Sequence, residues 1–337
     1  MNADGEIIPV VLTPDDAYAA QAGVTMMSAL RRAKNPQGLH FYLLSEAPGL
    51  APENLRRLTV TVREFGAALT PLTVTASVLD RIAADTNYLP RNAFVRMLAP
   101  ELLPRLEKCI YLDCDVAVLD DLALLWREDV SRSAVGAVRD WHVEGRGLMK
   151  YRQIKFYFNS GVLLMNLARW RERDYSRECL RLAAQPELTE RYSDQDVLNL
   201  VFCEDTLPLH PRWNIQTGQN LLCRLHSQRR GDTVWREARD RPGIAHYSGR
   251  KRKPWDFDMK HDHAPAWWEN FQFTPWGKEC ADLPARLQQA ADRDRVARRR
   301  RWLRDNFALK VTPSRGIFRL VWWGKTLADV RPKGRCR

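Results

Sequence analysis

Asp113 and Asp115 stand two residues apart at the end of an apolar, β-type run, Lys108-Cys109-Ile110-Tyr111-Leu112. Side chains at i and i+2 of an extended segment point the same way, so the two carboxylates can share one hard divalent cation, and that cation can neutralise a diphosphate. The carboxyl end of a strand is also where α/β sheets hold ligands. Such a pair serves equally well as turn chemistry at a strand end, so it does not assign a function alone.

Three later clusters carry further chemistry. In Phe158-Asn159-Ser160-Gly161-Val162-Leu163-Leu164-Met165-Asn166 a polar turn interrupts apolar sequence, and its amide and small residues can line a sugar pocket or simply begin a strand. In Tyr192-Ser193-Asp194-Gln195-Asp196-Val197-Leu198-Asn199, Ser193 can cap a helix whose first-turn acids suit its dipole. Capping does not explain the choice of Gln195. Ala245-His246-Tyr247-Ser248-Gly249-Arg250-Lys251-Arg252-Lys253-Pro254-Trp255 joins an imidazole, a flexible glycine and a run of cations. There His246 can complete a metal site and the cations can hold diphosphate oxygens; the bland alternative is a basic surface loop.

The elements that must position these groups alternate between strand and helix. Ile7 to Leu12 reads as a strand closed by Thr13-Pro14-Asp15-Asp16, which opens an Ala-rich helix from Ala17 to Ala33. Leu39 to Ser45 reads as a second strand and Glu53 to Glu64 as a helix. Asn92 to Leu106 reads as a helix feeding the Asp113 strand, Ser133 to Val138 and Phe158 to Met165 as strands, and Ser193 to Phe202 as a helix. This alternation predicts a doubly wound α/β domain with a mixed sheet.

A chain of 337 residues, 45% apolar with 12 Trp, has ample material for a core. Its seven Cys are odd in number and scattered, without a Cys-x-x-Cys, which suggests neither a disulfide framework nor a zinc site and points to a reducing compartment. Acids at the N-terminus do not suit a signal peptide, and no stretch approaches the roughly 18 apolar residues that span a bilayer. All of the excess charge lies at the other end: Arg293 to Arg337 carries net +12, and residues 1 to 292 are neutral. Large apolar residues, including Trp302, Phe307, Trp322 and Trp323, are interleaved with those cations. That mixture suits an anionic membrane surface, where each cation adds about 1 kcal/mol. A helix packed on the domain and a nucleic-acid-binding tail are the competing readings, the latter disfavoured by the neutral body.

The four clusters, in this order and spacing, resemble the family 8 glycosyltransferases, retaining enzymes of the GT-A fold, and most of all the bacterial lipopolysaccharide α-galactosyl- and α-glucosyltransferases. The resemblance covers about residues 7 to 256 and rests on Tyr-Leu-Asp-x-Asp, Phe-Asn-x-Gly-Val-Leu-Leu-x-Asn-Leu, Asp-Gln-Asp-x-Leu-Asn and His-Tyr-x-Gly followed by Lys-Pro-Trp. It implies a Rossmann-like α/β catalytic domain with a mixed central sheet over residues 1–280, and leaves 281–337 as a basic, Trp-rich membrane-associating segment. By the resemblance Asp113, Asp115 and His246 bind Mn²⁺, a donor set that suits Mn²⁺ better than the all-oxygen preference of Mg²⁺, the other cation considered. Asp15 would sit at the uracil or ribose, and Arg96 near the donor and metal. Asn159, Asp194 and Gln195 would surround the sugar, and Gly249 and Lys253 would close over the diphosphate.

Two departures stand out. The family's polar residue two after Asp15 is Ala17 here, and one extra residue between Gly249 and Lys-Pro-Trp leaves Arg252 or Lys253 as the diphosphate cation, Lys253 being favoured because Pro254-Trp255 follow it. The activity implied is transfer of a hexose, galactose or glucose, from a UDP-sugar to a hydroxyl of a cell-surface glycan such as lipopolysaccharide core, the acceptor being lipid-linked. The catalytic positions are Gln195 and Asp194. Gln195 is a poor nucleophile, so a front-face route is expected, with Asp194 as transient nucleophile the alternative. The expected location is cytoplasmic, peripheral on the inner face of the bacterial inner membrane, without a nucleic-acid partner. A non-catalytic UDP-sugar or glycan-binding protein and a UDP-sugar hydrolase are the competing functions.

Overall fold

The structure is a computed structural model describing residues 6–80, 91–140, 143, 154–185, 194–216, 233–249, 253–257, 263–312, 317–322 and 325–330, with side-chain surroundings described as far as residue 297. Two compact units divide the chain, residues 1–256 with 261–280 and residues 257–260 with 281–337.

Parallel strands β1 (Ile8–Leu12), β2 (Leu39–Glu46) and β3 (Ala68–Val74) form one half of the large sheet. They are followed in sequence by β4 (Lys108–Leu112), the short β5 (Val116–Val118), β6 (Val135–Arg139), β7 (Phe158–Asn166) and β8 (Thr206–Pro208). The sheet order among the described residues is β3-β2-β1-β4-β7-β6-β8, with β4 parallel to β1 and β7 antiparallel to both β4 and β6. β9 (Ile215–Gln216) and β10 (Ile244–His246) join β5 in a second sheet, order β5-β10-β9.

Both faces of the large sheet are covered, which is why its central strands read as continuous apolar runs. Val10, Leu12, Val162 and Leu164 point into one core with Met26 and Leu30 of helix α1 (Ala19–Arg32) and Leu58 and Val62 of helix α2 (Pro52–Arg63). Val11, Tyr111, Leu163 and Met165 point into the other, with Val197 and Leu198 of helix α3 (Asp194–Val201). Alternate residues of one strand thus serve opposite cores.

The expected doubly wound domain with a mixed sheet is present, with two differences. Asn92 to Leu106 is not one helix: a 3-10 helix spans Arg91–Leu98 and a short α-helix Ala99–Leu102. Pro100 lies in the first turn of that second piece, where a missing N–H costs nothing, and Pro104 follows its end. The strand Ala68–Val74 is masked in sequence by Pro71, a residue tolerated because β3 is an edge. The proposed Ser193 cap lies outside the described residues.

The turn after β4 is stapled to α1 by hydroxyls. Thr25 Oγ1 donates to the carbonyls of Cys114 and Val116 at 3.0 and 2.9 Å, and Ser28 Oγ accepts from Val118 N at 2.8 Å. Both side chains are fully buried. The chain carrying Asp113 and Asp115 is therefore held by polar bonds inside an apolar layer.

The second unit, taken alone, contains helix α5 (Leu283–Asn306) and the antiparallel meander β11 (Phe307–Thr312), β12 (Ile317–Trp322) and β13 (Lys325–Val330). Helix α4 (Ala264–Phe271) belongs to the first unit. No helix of the described residues is long and apolar enough to cross a membrane.

Replacing Ser28 by Ala strands the Val118 amide in an apolar layer. The expected loss is about 1–3 kcal/mol, measured by chemical denaturation; an unchanged midpoint would show that the staple is dispensable.

Candidate active site

β4 ends at Leu112 and β5 begins at Val116, so Asp113 and Asp115 fall in the turn at the carboxyl edge of the large sheet. β10 pairs antiparallel with β5, placing His246 opposite Val116. One ligand atom from each of Asp113, Asp115 and His246 lies within 4.8 Å of the others. His246 Nε2 is 3.2 Å from Asp115 Oδ1 and 3.7 Å from Asp113 Oδ2. An ion about 2.1 Å from each of two adjacent ligands holds them about 3 Å apart, so the three atoms fit one divalent cation. Gly161 completes the fit, because a Cβ there would come within 2.7 Å of Asp113 Oδ2 and press on the imidazole.

Two buried cations pair with the acids. Arg96, on the 3-10 helix, pairs through Nη2 with Asp113 Oδ1 at 3.0 Å and Asp194 Oδ2 at 3.6 Å, while Nη1 donates to Ser160 O at 2.9 Å. Its guanidinium lies over the Tyr111 ring, 4.2 Å from the centroid, and the Tyr111 hydroxyl donates to Asp113 Oδ1 at 2.8 Å. Lys253 Nζ donates to Asp115 Oδ2 at 2.5 Å and to Tyr247 O at 2.6 Å. Burial works to raise the Asp115 pKa, but Lys253 and His246 outweigh it and hold the group well below the usual carboxylate range.

Asp194 and Gln195 open α3 and are both buried. Burial pushes the Asp194 carboxyl up to about 6, with Arg96 pulling it down and Asp113 adding to the rise. Gln195 Oε1 accepts from Asn159 Nδ2 and Ser160 N, each at 3.1 Å, and its nitrogen donates to Asp140 Oδ2 at 3.1 Å and Tyr157 Oη at 3.3 Å. Asn159 Oδ1 in turn accepts from Gly161 N at 3.0 Å and Asn214 Nδ2 at 2.9 Å.

Asp15 lies after β1 and caps a 3-10 turn, its Oδ1 accepting from Tyr18 N at 2.9 Å. Asn92 anchors that loop by donating to Thr13 O and Pro14 O. Gly249 takes a φ of 86°, a conformation that favours glycine, and Arg252 lies outside the described residues. The structure therefore gathers Arg96, Asp113, Asp115, Asn159, Asp194, Gln195, His246 and Lys253 into one network. Asp15 stands beside the acids through Tyr18, whose hydroxyl pKa rises to about 12 through burial and then the charges of Asp115 and Asp15.

Sequence reading missed Tyr18, Asp140, Tyr157 and Asn214 as contributors, and placed Gly161 in a sugar pocket without its role beside the acids. The Asn-Ser-Gly turn carried a signal for Gly161; Asn214, alone between Trp213 and Ile215, carried none.

The family model of glycosyl transferase family 8 matches residues 9–259. General stress protein A of Bacillus subtilis (strain 168) is 29% identical over 276 residues, covering 80% of this chain and 95% of that protein. Probable galacturonosyltransferase-like 3 of Arabidopsis thaliana is 30% identical over 285 residues, covering 74% of each. Among solved structures, the galactosyltransferase LgtC in complex with donor and acceptor sugar analogues matches with a TM-score of 0.68 and 25% identity, over 80% of this chain and 96% of that one.

The raised Asp194 pKa sets a direction for stability. A carboxyl that holds its proton more tightly when folded contributes stability below its unfolded pKa near 3.8, which is lost as pH rises through about 6. Asp194→Asn lacks that term. In EDTA, its melting temperature relative to wild type should therefore rise between pH 4.5 and 7.5, the swing amounting to about 2 kcal/mol. A pH-independent difference would remove burial as the cause.

Proposed function

Because this chain belongs to glycosyl transferase family 8 and has the GT-A fold of its structural neighbours, we propose that it transfers a hexose, galactose or glucose, from a UDP-sugar to a cell-surface glycan with retention of the α configuration. The observation that carries this reading is the convergence of Asp113, Asp115 and His246 on one point, with Lys253 beside them and Asp194 across Arg96.

Asp113, Asp115 and His246 would hold Mn²⁺. When bound, that ion supplies positive charge to a diphosphate leaving group. Lys253 would exchange Asp115 for a diphosphate oxygen. Arg96 keeps Asp113 and Asp194 in fixed relation while charge moves. Asp194 would accept hydrogen bonds from sugar hydroxyls. Gln195 has both amide ends bonded to protein groups, which supports a wall on the far face of the sugar over a nucleophile. The acceptor oxygen then attacks on the face from which UDP departs. The new glycosidic C–O bond forms as the anomeric C–O bond to phosphate breaks, and the acceptor proton passes to the diphosphate oxygen.

The acceptor fits a lipid-linked glycan such as lipopolysaccharide core, at the inner face of the bacterial inner membrane. Support comes from the net +12 and interleaved Trp of residues 293–337.

With a panel of UDP-sugars and Mn²⁺, one donor should release UDP, EDTA should stop it, and Asp115→Ala should reduce it at least 100-fold. Equal release in EDTA, or no release with any donor and added glycan extracts, would overturn the assignment. Replacing Arg298, Arg299, Arg300 and Arg301 by Gln should lower binding to anionic vesicles in flotation while leaving UDP release intact; unchanged flotation would reject the membrane role.

A further inference from the structure

The buried amides behind the metal triad form a chain whose direction is forced. Gly161 N can only donate, so the Asn159 atom 3.0 Å from it is oxygen. Asn214 meets that same oxygen at 2.9 Å and must present its own nitrogen. Its remaining amide atom, oxygen, then faces His246 Nδ1 at 3.0 Å. An amide oxygen only accepts, so Nδ1 carries the hydrogen and Nε2 is the ring nitrogen left to offer a lone pair toward Asp113 and Asp115.

We propose that Asn214 is a positioning residue that sets the donating nitrogen of His246 and locks the ring in its ligating orientation, with the polarity of the contact dictated by the Gly161 backbone amide through Asn159. Asn214 is fully buried and caps the 3-10 turn Pro211–Trp213, immediately before β9. β9 runs parallel to β10 with Gln216 opposite His246, so sheet pairing delivers the amide beside the imidazole. Outward, the same chain continues from Asn159 Nδ2 to Gln195 Oε1 at 3.1 Å and Asp140 Oδ2 at 3.3 Å. All four hydrogen-bonding valences of Asn159 are thereby met by protein groups, which makes it an orienting residue for His246 and Gln195 in addition to any contact with the donor. A hydrogen bond of this kind to a ligating imidazole changes metal affinity 10–100-fold in other sites.

This assignment rests on the metal reading of the triad, and Mn²⁺ alone tests the two separately. The fraction of free Mn²⁺ is read by electron paramagnetic resonance during titration of the full-length protein, with metal-free melting temperatures measured in parallel. Asn214→Ala should weaken Mn²⁺ binding about 10–100-fold. Asn214→Asp keeps an acceptor oxygen toward Nδ1 and should recover most of that affinity, although it sacrifices the bond to Asn159 and lowers the metal-free melting temperature. A residue that only fills space would give the opposite order, with the buried extra charge the more damaging change. Mn²⁺ affinity within threefold of wild type in Asn214→Ala, or equal loss in both variants, would overturn the role of Asn214. Absence of Mn²⁺ binding to wild type would overturn the metal reading beneath it.

Discussion

Two carboxylates at one strand end repel each other, and burial adds to the cost of their charge. The ion pairs of Arg96 with Asp113 and Lys253 with Asp115 answer that cost. The rest of the site is arranged around these pairs. Arg96 reaches from the 3-10 helix to β7 and α3, and so ties the Asp pair to Ser160 and Asp194 in one rigid frame. Among the described residues Lys253 pairs with one carboxylate, Asp115, and its other bond goes to the Tyr247 carbonyl, which suits the exchange of partner proposed for it.

The scaffold explains why the frame is stiff. The acids leave a strand whose alternate residues are locked into two cores, and the turn after them is pinned to α1 by Thr25 and Ser28. Behind the triad, amides take over from apolar packing, and each donor meets an acceptor from Gly161 through Asn159 and Asn214 to His246. A polar network buried this deeply specifies a single arrangement only when all its members are satisfied.

Much of this was legible in the sequence, for particular reasons. β1, β4 and β7 are buried on both faces, so they appear as apolar runs ended by polar signals, and the residues at those ends are the ones that converge. The break at Pro100 and the edge strand around Pro71 were hidden because each depends on what packs or pairs beside it. Strands β5, β9 and β10 span two or three residues and exist only by mutual pairing, so no periodicity could reveal them. Asn214 was invisible for the same reason, since its importance comes from the strand beside it. Tyr18 was passed over although it follows Asp15 closely, because an aromatic at a helix start reads first as packing.

The central proposal is that Asp113, Asp115 and His246 would hold a divalent cation that forms the diphosphate site together with Lys253. Calorimetric titration of UDP into the full-length protein, with Mn²⁺ and then with EDTA, tests it most directly. The account predicts binding that requires Mn²⁺ and is lost in Asp113→Asn, whose neutral amide still fits beside Arg96. UDP binding of equal strength in EDTA would show that the cationic side chains hold the diphosphate without a metal and would contradict the account.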